Sequence, residues 1–329
     1  DLLIDGAPAG THDEEAVKGF GYHLPGLFDR VIDIEKCYLQ QEPSNAIRLF
    51  IKDFTLEHKL SYYNVRAHEG LMRNVVIRCN GKGEFMVIVV INEENDLVRN
   101  VMIPELQKRF PEIISIMLVI NNKFNDIITD LPFENVYGEE CLIETMKAPR
   151  EGHDDLKFRV GPVSFFQTNV YQGERLYKAA FDLADVQGDE LMYDLYTGTG
   201  TIALYFARFV KNVVGVEYVE EAIADAKINS EFNNINNVKF YAGDMAKVFT
   251  DEFIESNGRP DLVVTDPPRA GMHEKVVEQL LKIQPKKIVY ISCNPATQAR
   301  DLQLLDAKYE VKAVQPVDMF PHTHHVENI

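Results

Sequence analysis

The stretch that decides the fold is Leu191-Met-Tyr-Asp-Leu-Tyr-Thr-Gly-Thr-Gly-Thr201, in which an apolar run ends in a glycine-rich turn. Leu191–Leu195 has the length and composition of a buried strand, and a helical pattern follows the turn. Gly198 and Gly200 lack a Cβ atom, so the backbone of the turn can approach a ligand closely. The stretch therefore predicts a ligand-binding βα turn at the carboxyl edge of a parallel sheet.

Two further positions bear on the ligand of this turn. Glu217 ends the next apolar run, where an acidic side chain in such sheets binds ribose hydroxyls. The third position of a dinucleotide-type Gly-x-Gly-x-x-Gly pattern holds Ala203, which disfavours a dinucleotide. A tight turn without a ligand is the alternative, and the combination with Glu217 favours a cofactor loop.

The alternation of strand-like and helix-like runs continues outward from this stretch. Beyond about residue 160 it predicts a helix-covered parallel sheet, whereas residues 64–160 mix strand-like runs with one helix over 96–109. We therefore expect an α+β domain over 1–155 and an α/β, Rossmann-like domain over 156–329, with residues 1–35 irregular. The expected helices of the second domain are 170–185, 201–210, 220–233 and 273–282, and its strands are 191–195, 213–217, 238–241, 261–265 and 286–291.

Composition limits the possible classes of protein. The net charge of −17 argues against a broad nucleic-acid-binding surface, although a local basic groove remains compatible with it. No apolar run has transmembrane length, and no signal segment is recognisable. Four scattered cysteines do not form a secreted disulfide scaffold, so a soluble, cytoplasmic protein is expected. The first residue is Asp1 rather than Met, which suggests a fragment or a processed chain.

Cys293 is the candidate nucleophile. It follows an apolar strand in Ser292-Cys-Asn-Pro295, at a polar strand-to-helix junction. Backbone N–H groups of a helix that starts near Pro295 would favour the thiolate. A cysteine is more often an inert core residue, and the polar junction is what distinguishes this one. Glu327, close to the C-terminus, would supply a base if it lay near the thiol.

Two aspartates follow strand-like runs that are consecutive in the sequence. Asp266 opens the proline-stiffened loop Asp266-Pro-Pro-Arg-Ala-Gly271, where it could accept a hydrogen bond from a planar ring N–H, or simply cap a turn. Arg269 of that loop could meet a phosphate or a carbonyl. Asp244 would face an adenine ring, cap the helix that follows, or do both.

With these motifs in place, the chain resembles the RNA (uracil-5-)-methyltransferase family. Five motifs in the family's order span residues 160–329, which makes the resemblance highly specific. Within the family, the chain most resembles the 23S ribosomal RNA enzymes of the iron–sulfur type. The carrying segments are Phe165-Phe-Gln-Thr-Asn169, Asp194-Leu-Tyr-Thr-Gly-Thr-Gly200, Asp266-Pro-Pro-Arg-Ala-Gly271, Ser292-Cys-Asn-Pro295 with Arg300-Asp301, and His325-Val-Glu327.

The resemblance implies a reaction and a set of site residues. It implies transfer of a methyl group from S-adenosylmethionine to uridine C5 in 23S ribosomal RNA, with a covalent bond between Cys293 and C6. Glu327 would remove the C5 proton, and Asp266 would hold the uracil or contact the cofactor. The domain over 1–155 would contact RNA. The other implied cofactor-binding residues are Gln167, Tyr196, Gly198, Glu217 and Asp244.

Two departures from the family pattern concern the N-terminal side. The family's N-terminal oligonucleotide-binding barrel has no counterpart here, so a C-terminal fragment is expected. Cys37 matches the fourth ligand of the family's iron–sulfur cluster, but the three closely spaced cysteines are missing. We expect Cys37 to be an orphan ligand or a buried structural thiol, with an iron–sulfur cluster only in a longer protein.

The group of histidines His322-Thr-His324-His325 is expected to bind no metal.

Other functions are weaker alternatives. The same reaction on transfer RNA is a close one, because these motifs do not separate the two targets. A noncatalytic RNA-binding or ribosome-assembly module would need neither Cys293 nor Glu327. A nicotinamide dehydrogenase lacks its third glycine, and a zinc deaminase lacks a Cys-x-x-Cys pair. RNA is therefore the expected partner, with no DNA and no membrane; the oligomeric state is open.

Overall fold

The computed structural model describes residues 2–3, 19–24, 26–323 and 325–329, and the chain forms two compact units. The first comprises the described part of Asp1–Leu142 with Gly161–Val163, and the second comprises Ile143–Val160 with Ser164–Ile329. The second unit thus begins earlier than the boundary expected after residue 155. The reason is that residues 156–160 pair with 142–146 and pack on a helix of the second unit. The RNA-contacting role of the N-terminal domain stays a prediction.

No helix among the described residues is both long and apolar enough to cross a membrane.

The strands and helices have the following bounds. The strands are β1 Leu2–Leu3, β2 Tyr22–Leu24, β3 Leu27–Ile32, β4 Met72–Cys79, β5 Phe85–Ile91, β6 Ile113–Ile120, β7 Glu134–Gly138, β8 Leu142–Met146, β9 Leu156–Val160, β10 Leu191–Leu195, β11 Asn212–Glu217, β12 Val238–Ala242, β13 Leu262–Thr265, β14 Lys287–Tyr290, β15 Pro316–Val317 and β16 Glu327–Asn328. The helices are α1 Ser44–Glu57, α2 Ile103–Arg109, α3 Val170–Ala184, α4 Thr201–Ala207, α5 Glu220–Phe232, α6 Met245–Val248, α7 Asp251–Asn257, α8 Glu274–Ile283 and α9 Pro295–Leu305.

The first unit is built on a mixed sheet of order β1-β4-β5-β6-β7. β5 is buried at every position and pairs in parallel with β6, through a crossover of π-helical Val98–Met102 and α2. Ile47, Ile51 and Phe54 of α1 belong to the same hydrophobic core as the sheet. An α+β architecture is therefore present, as its alternating pattern predicted.

One N-terminal expectation is wrong. Residues 22–32 were expected to be irregular, but β2 and β3 form an antiparallel hairpin. Gly26 adopts φ +78°, so the glycine that indicated a loop is a turn residue of this hairpin. Residues 4–18 of the expected irregular segment lie outside the described residues.

The second unit contains the predicted parallel sheet, of order β12-β11-β10-β13-β14. All four neighbouring pairs are parallel. β10 is central: the chain leaves it toward β11 on one side and later returns to β13 on the other. Ligands of open α/β sheets bind at the carboxyl ends of strands beside such a change of direction.

Glycines allow an aromatic side chain to pack below the turn that follows β10. A Cβ atom on Gly215 would lie 2.7 Å from Cδ1 of Phe240, and one on Gly200 would lie 3.0 Å from its Cζ. The ring of Phe240 therefore occupies the space that two missing side chains leave. This packing ties β11 and β12 to the glycine turn.

We expect Gly215→Ala to destabilise the second unit by about 1–3 kcal/mol, because its methyl group overpacks the site against Phe240. Thermal unfolding followed by circular dichroism measures this change. In the background of Phe240→Leu, which removes the facing ring atoms, the same substitution should cost clearly less. Equal costs in both backgrounds would contradict the packing.

Candidate active site

The carboxyl edge of the parallel sheet gathers most of the side chains expected to act. Tyr196 follows β10, Glu217 ends β11, and Asp266 follows β13. The parallel register pairs Leu195 with both Val216 and Thr265, so these strand ends are level. Residues separated by up to 70 positions in the sequence therefore lie along one edge, as the strand pattern predicted.

The turn after β10 adopts left-handed conformations at three positions. Tyr196 has φ +67°, Gly198 φ +54° and Gly200 φ +80°. The backbone N–H groups of Tyr196 and Thr197 both donate to the Val216 carbonyl, at 3.0 Å each. A positive φ at a tyrosine costs conformational energy. The hydrogen bonds to β11 compensate for this cost and hold the turn in place.

Glu217 joins the glycine turn to the start of α5. Its Oε2 accepts from the Gly198 N–H at 3.0 Å, while Oε1 accepts from the N–H groups of Tyr218 and Val219 at 2.8 and 3.1 Å. Each carboxylate oxygen can accept more than one hydrogen bond. Glu217 thus keeps acceptor capacity for hydroxyl groups, which suits its predicted role toward a ribose.

Asp194 lies fully buried beneath the turn. Thr197 Oγ1 donates to its Oδ2 at 2.5 Å, and Oδ1 has no hydrogen-bond partner among the described residues. Burial raises the pKa of Asp194 to about 7, and the nearby Glu217 adds to this rise. Gly198 and Gly200, both at positive φ, let a ligand approach the backbone of the turn closely, which fits a nucleoside cofactor such as S-adenosylmethionine.

The other predicted cofactor residues have partners of their own. Asp244 caps α6 by accepting from the Ala246 N–H at 3.0 Å, so its predicted capping role is present. The Tyr196 hydroxyl is hydrogen-bonded to the backbone of His273 at the start of α8, and burial raises its pKa to about 12. Gln167 is 9% exposed. Their contacts with a cofactor stay predictions.

The C-terminal strand places Glu327 near Cys293. The Ser292 N–H donates to the Asn328 carbonyl at 2.9 Å, and the Asn328 N–H donates back to the Ser292 carbonyl at 2.9 Å. In this antiparallel bridge, the next residues along the two segments are Cys293 and Glu327. Gln298 of α9 reinforces the bridge, because its Oε1 accepts from Asn328 Nδ2 at 2.6 Å.

The expectation that the helix start would favour the Cys293 thiolate is wrong in direction. α9 does begin at Pro295, but burial raises the pKa of the thiol, and the negative charges of Glu327 and Asp266 raise it further. Arg269 opposes this rise through its charge and a hydrogen bond to Cys293. Desolvation and neighbouring carboxylates therefore outweigh the helix terminus.

The two carboxyl groups near Cys293 are also perturbed. Burial raises the pKa of Asp266 to about 8, with Glu327 and Asp194 adding to the rise. Burial raises the pKa of Glu327 as well, against the opposing charge of Arg269. Perturbed acids that converge on one thiol are characteristic of functional sites.

Asp301 holds the two site loops together, which sequence reasoning missed. It is 1% exposed and accepts from the Met272 N–H at 2.7 Å and from the Tyr290 hydroxyl at 2.6 Å. Asn294 Nδ2 and Thr297 Oγ1 add bonds to the Arg269 carbonyl, at 3.0 and 3.1 Å. No local sequence pattern indicates these hydrogen bonds, because the residues that they join lie 11 to 29 positions apart in the sequence.

The described residues do not fit an iron–sulfur cluster. No group of three or more His, Cys, Asp or Glu side chains among them could hold a metal ion. Cys37 is tied to Asn45, whose Oδ1 accepts from the Cys37 N–H at 2.8 Å, and its thiol is hydrogen-bonded to Tyr22. His324 of the histidine cluster lies outside the described residues.

The chain is similar in sequence to a known family and to several known proteins. Residues 147–328, more than half of the chain, match the model of the tRNA (uracil-5-)-methyltransferase family. An uncharacterized RNA methyltransferase of Bacteroides thetaiotaomicron is 52% identical, over 96% of this chain and 68% of its own length. One of Porphyromonas gingivalis is 48% identical, over 97% and 68%. Both matches span nearly all of the present chain and 68% of each relative's own length, and the expected fragment stays a prediction.

A solved structure resembles the chain throughout. The Pyrococcus abyssi tRNA (uracil-54, C5)-methyltransferase, in complex with S-adenosyl-L-homocysteine, is 32% identical with a TM-score of 0.77. The match covers 99% of this chain and 73% of that one. The resemblance deduced from the five motifs is thereby confirmed. The chain belongs to the tRNA (uracil-5-)-methyltransferase family and has the fold of an S-adenosylmethionine-dependent RNA methyltransferase.

Proposed function

We propose that the protein methylates C5 of a uridine in 23S ribosomal RNA through a covalent bond between Cys293 and C6. The observation that carries the proposal is the antiparallel bridge of Ser292 with Asn328, which sets the Cys293 thiol beside the Glu327 carboxyl group. A nucleophile next to a group that can take up a proton is the arrangement that addition and elimination at C6 and C5 require.

The reaction proceeds by addition, transfer and elimination. The Cys293 thiolate forms a bond to C6, and the electrons of the C5–C6 double bond move toward O4 as an enolate. C5 then forms a bond to the methyl group. Glu327 takes the proton from C5, the double bond re-forms, and the C6–sulfur bond breaks to release the thiolate. S-adenosylmethionine would supply the methyl group: its sulfur–methyl bond would break as the bond to C5 forms, and the electron pair of the broken bond would stay on sulfur, which leaves as the neutral thioether S-adenosylhomocysteine.

The charges around the thiol suit these roles. Because the pKa of Glu327 is raised, its carboxylate is a stronger base and a better proton acceptor. Arg269 stabilises the thiolate that burial disfavours. Asp266, when ionised, can accept the N–H of a uracil ring and fix its orientation. A uridine must leave its stack in the RNA to reach these groups.

The cofactor would lie along the glycine turn. Gly198 and Gly200 let the cofactor approach the backbone closely, and Glu217 would accept hydrogen bonds from the ribose hydroxyls. Gln167, Tyr196, Asp244 and Asp266 complete the proposed set of contacts.

Transfer RNA is a second candidate substrate, favoured by the similarity to the Pyrococcus abyssi enzyme. Mapping of 5-methyluridine in ribosomal and transfer RNA from a strain that lacks the gene separates the two. We expect one 23S position to lose its methyl group and to regain it with the wild-type gene but not with Cys293→Ala. Loss confined to transfer RNA would support the second candidate and contradict the first.

A 5-fluorouridine substrate tests the covalent step. Fluorine at C5 cannot be removed as a proton, so wild-type protein with cofactor and fluorinated RNA should form an adduct that survives denaturing electrophoresis. Cys293→Ala should form none. With unmodified RNA, Glu327→Gln should methylate once and remain bound, since the C5 proton stays in place. An adduct in Cys293→Ala, or free turnover by Glu327→Gln, would contradict the assigned roles.

The raised pKa of Cys293 predicts a pH dependence. Below that pKa the thiolate fraction, and hence the rate of alkylation by iodoacetamide, should rise about tenfold per pH unit. Peptide mass spectrometry follows Cys293 separately from the other cysteines.

Arg269 offers a matched pair for this measurement. Because its positive charge lowers the pKa of Cys293, Arg269→Gln should move the alkylation profile to higher pH. Arg269→Lys, which keeps the charge, should leave the profile near that of the wild type. An unchanged profile in Arg269→Gln would contradict the electrostatic role of Arg269.

A further inference from the structure

The side chain of Gln298 joins α9 to the last strand of the chain. Its Nε2 donates to the Tyr290 carbonyl, at the end of β14, over 2.9 Å and to the Asn328 carbonyl over 3.3 Å. Its Oε1 accepts from Nδ2 of Asn328 at 2.6 Å. Both ends of the Gln298 amide are therefore occupied, and the two carbonyl partners identify the nitrogen end, because a carbonyl oxygen only accepts.

Gln298 occupies a position in α9 that would suit an apolar side chain. It is 3% exposed, and Leu305, seven residues later on the same face of the helix, is 2% exposed. Burial of an amide is unfavourable unless its hydrogen bonds are made. An amide in such a place therefore favours a role for its hydrogen bonds rather than for its volume.

The strand that Gln298 contacts is short. β16 comprises only Glu327 and Asn328, which pair with β15 on one side, and Asn328 forms the bridge to Ser292. A ladder of this length offers few residue pairs that would reject a slipped register. A slip by one residue would set Glu327 or Ile329 against Gln298, and neither side chain can donate an amide N–H. The amide pair of Gln298 and Asn328 therefore selects the observed register.

This register decides where the carboxyl group of Glu327 lies. Successive side chains of a strand point to opposite faces, so the face of Asn328 that meets α9 is not the face of Glu327. Because Ser292 pairs with Asn328, Cys293 and Glu327 are the next opposing residues. Gln298 thus holds the strand through the neighbour of Glu327.

We propose that Gln298 is a positioning residue for removal of the C5 proton, because its hydrogen bonds to Asn328 set the neighbouring Glu327 opposite Cys293. This inference rests on the proposed function, in which Glu327 is the base. In that step the carboxylate takes the proton, the electrons of the C5–H bond re-form the C5–C6 double bond, and the C6–sulfur bond breaks with its electron pair on sulfur. Addition and methyl transfer come first and do not use this carboxylate.

Two RNA substrates separate the steps for Gln298→Met, which keeps a flexible side chain of similar length and removes the hydrogen bonds. With 5-fluorouridine RNA the reaction stops before proton removal, so the adduct should form within twofold of the wild-type rate. With unmodified RNA, product release should slow about tenfold, and a covalent protein–RNA species should accumulate. A merely structural role would slow both rates together.

Two further variants complete the comparison. Asn328→Ala leaves α9 intact and removes the amide that donates to Gln298, so it should show the same split between the two rates; it decides the question if Gln298→Met folds poorly. Gln303→Met makes the same substitution at an exposed position of α9 and should match the wild type with both substrates. Thermal melts identify any variant that has lost its fold.

Hydrogen exchange measures the effect of Gln298 on the strand without RNA. The Asn328 N–H donates to the Ser292 carbonyl, and peptide mass spectrometry should show it exchanging about tenfold faster in Gln298→Met than in the wild type. Unchanged exchange, unchanged product release, or equal slowing of adduct formation and release would overturn the assignment. Absence of an adduct in the wild type would instead count against the proposed function, while hydrogen exchange still tests the contact of Gln298 with the strand.

Discussion

Two backbone hydrogen bonds between Ser292 and Asn328 are the constraint on which the candidate active site depends. They fasten the last strand of the chain to the segment that follows β14, and so set Glu327 against Cys293. Backbone pairing fixes register, and a shift by one residue would turn Glu327 to the opposite side of the strand. Gln298 bonds to Asn328 as well, so α9 supports the same register.

Electrostatics then defines what this geometry can do. The carboxyl groups of Asp194, Asp266 and Glu327 all have raised pKa values because burial disfavours their charges, and neighbouring carboxylates add to the rise for Asp194 and Asp266. Burial also raises the pKa of Cys293, the charges of Glu327 and Asp266 raise it further, and Arg269 opposes this rise. A desolvated, acidic environment of this kind therefore disfavours the thiolate form of Cys293.

The fold of the second unit was largely predictable because its strands are short apolar runs between recognisable helices. Leu191–Leu195 agrees with the expected strand, and the other strands of that sheet differ from expectation by one residue at one or both ends. The β2–β3 hairpin was missed, since the same glycines mark irregular loops and hairpin turns. The direction of the Cys293 pKa shift was misjudged, because a local helix start was weighed without the burial of the thiol and without the distant carboxylates.

The sequence by itself determined the parallel sheet and the glycine turn, and it singled out the candidate reactive side chains, because these follow from periodicity and from residue chemistry at strand ends. Only the tertiary structure decided which groups meet: the pairing of Ser292 with Asn328, and the hydrogen bonds of Asp301 to Met272 and Tyr290. It also decided the direction of every pKa shift in the site. Burial and the distances between charges depend on how remote segments pack, which no local pattern encodes.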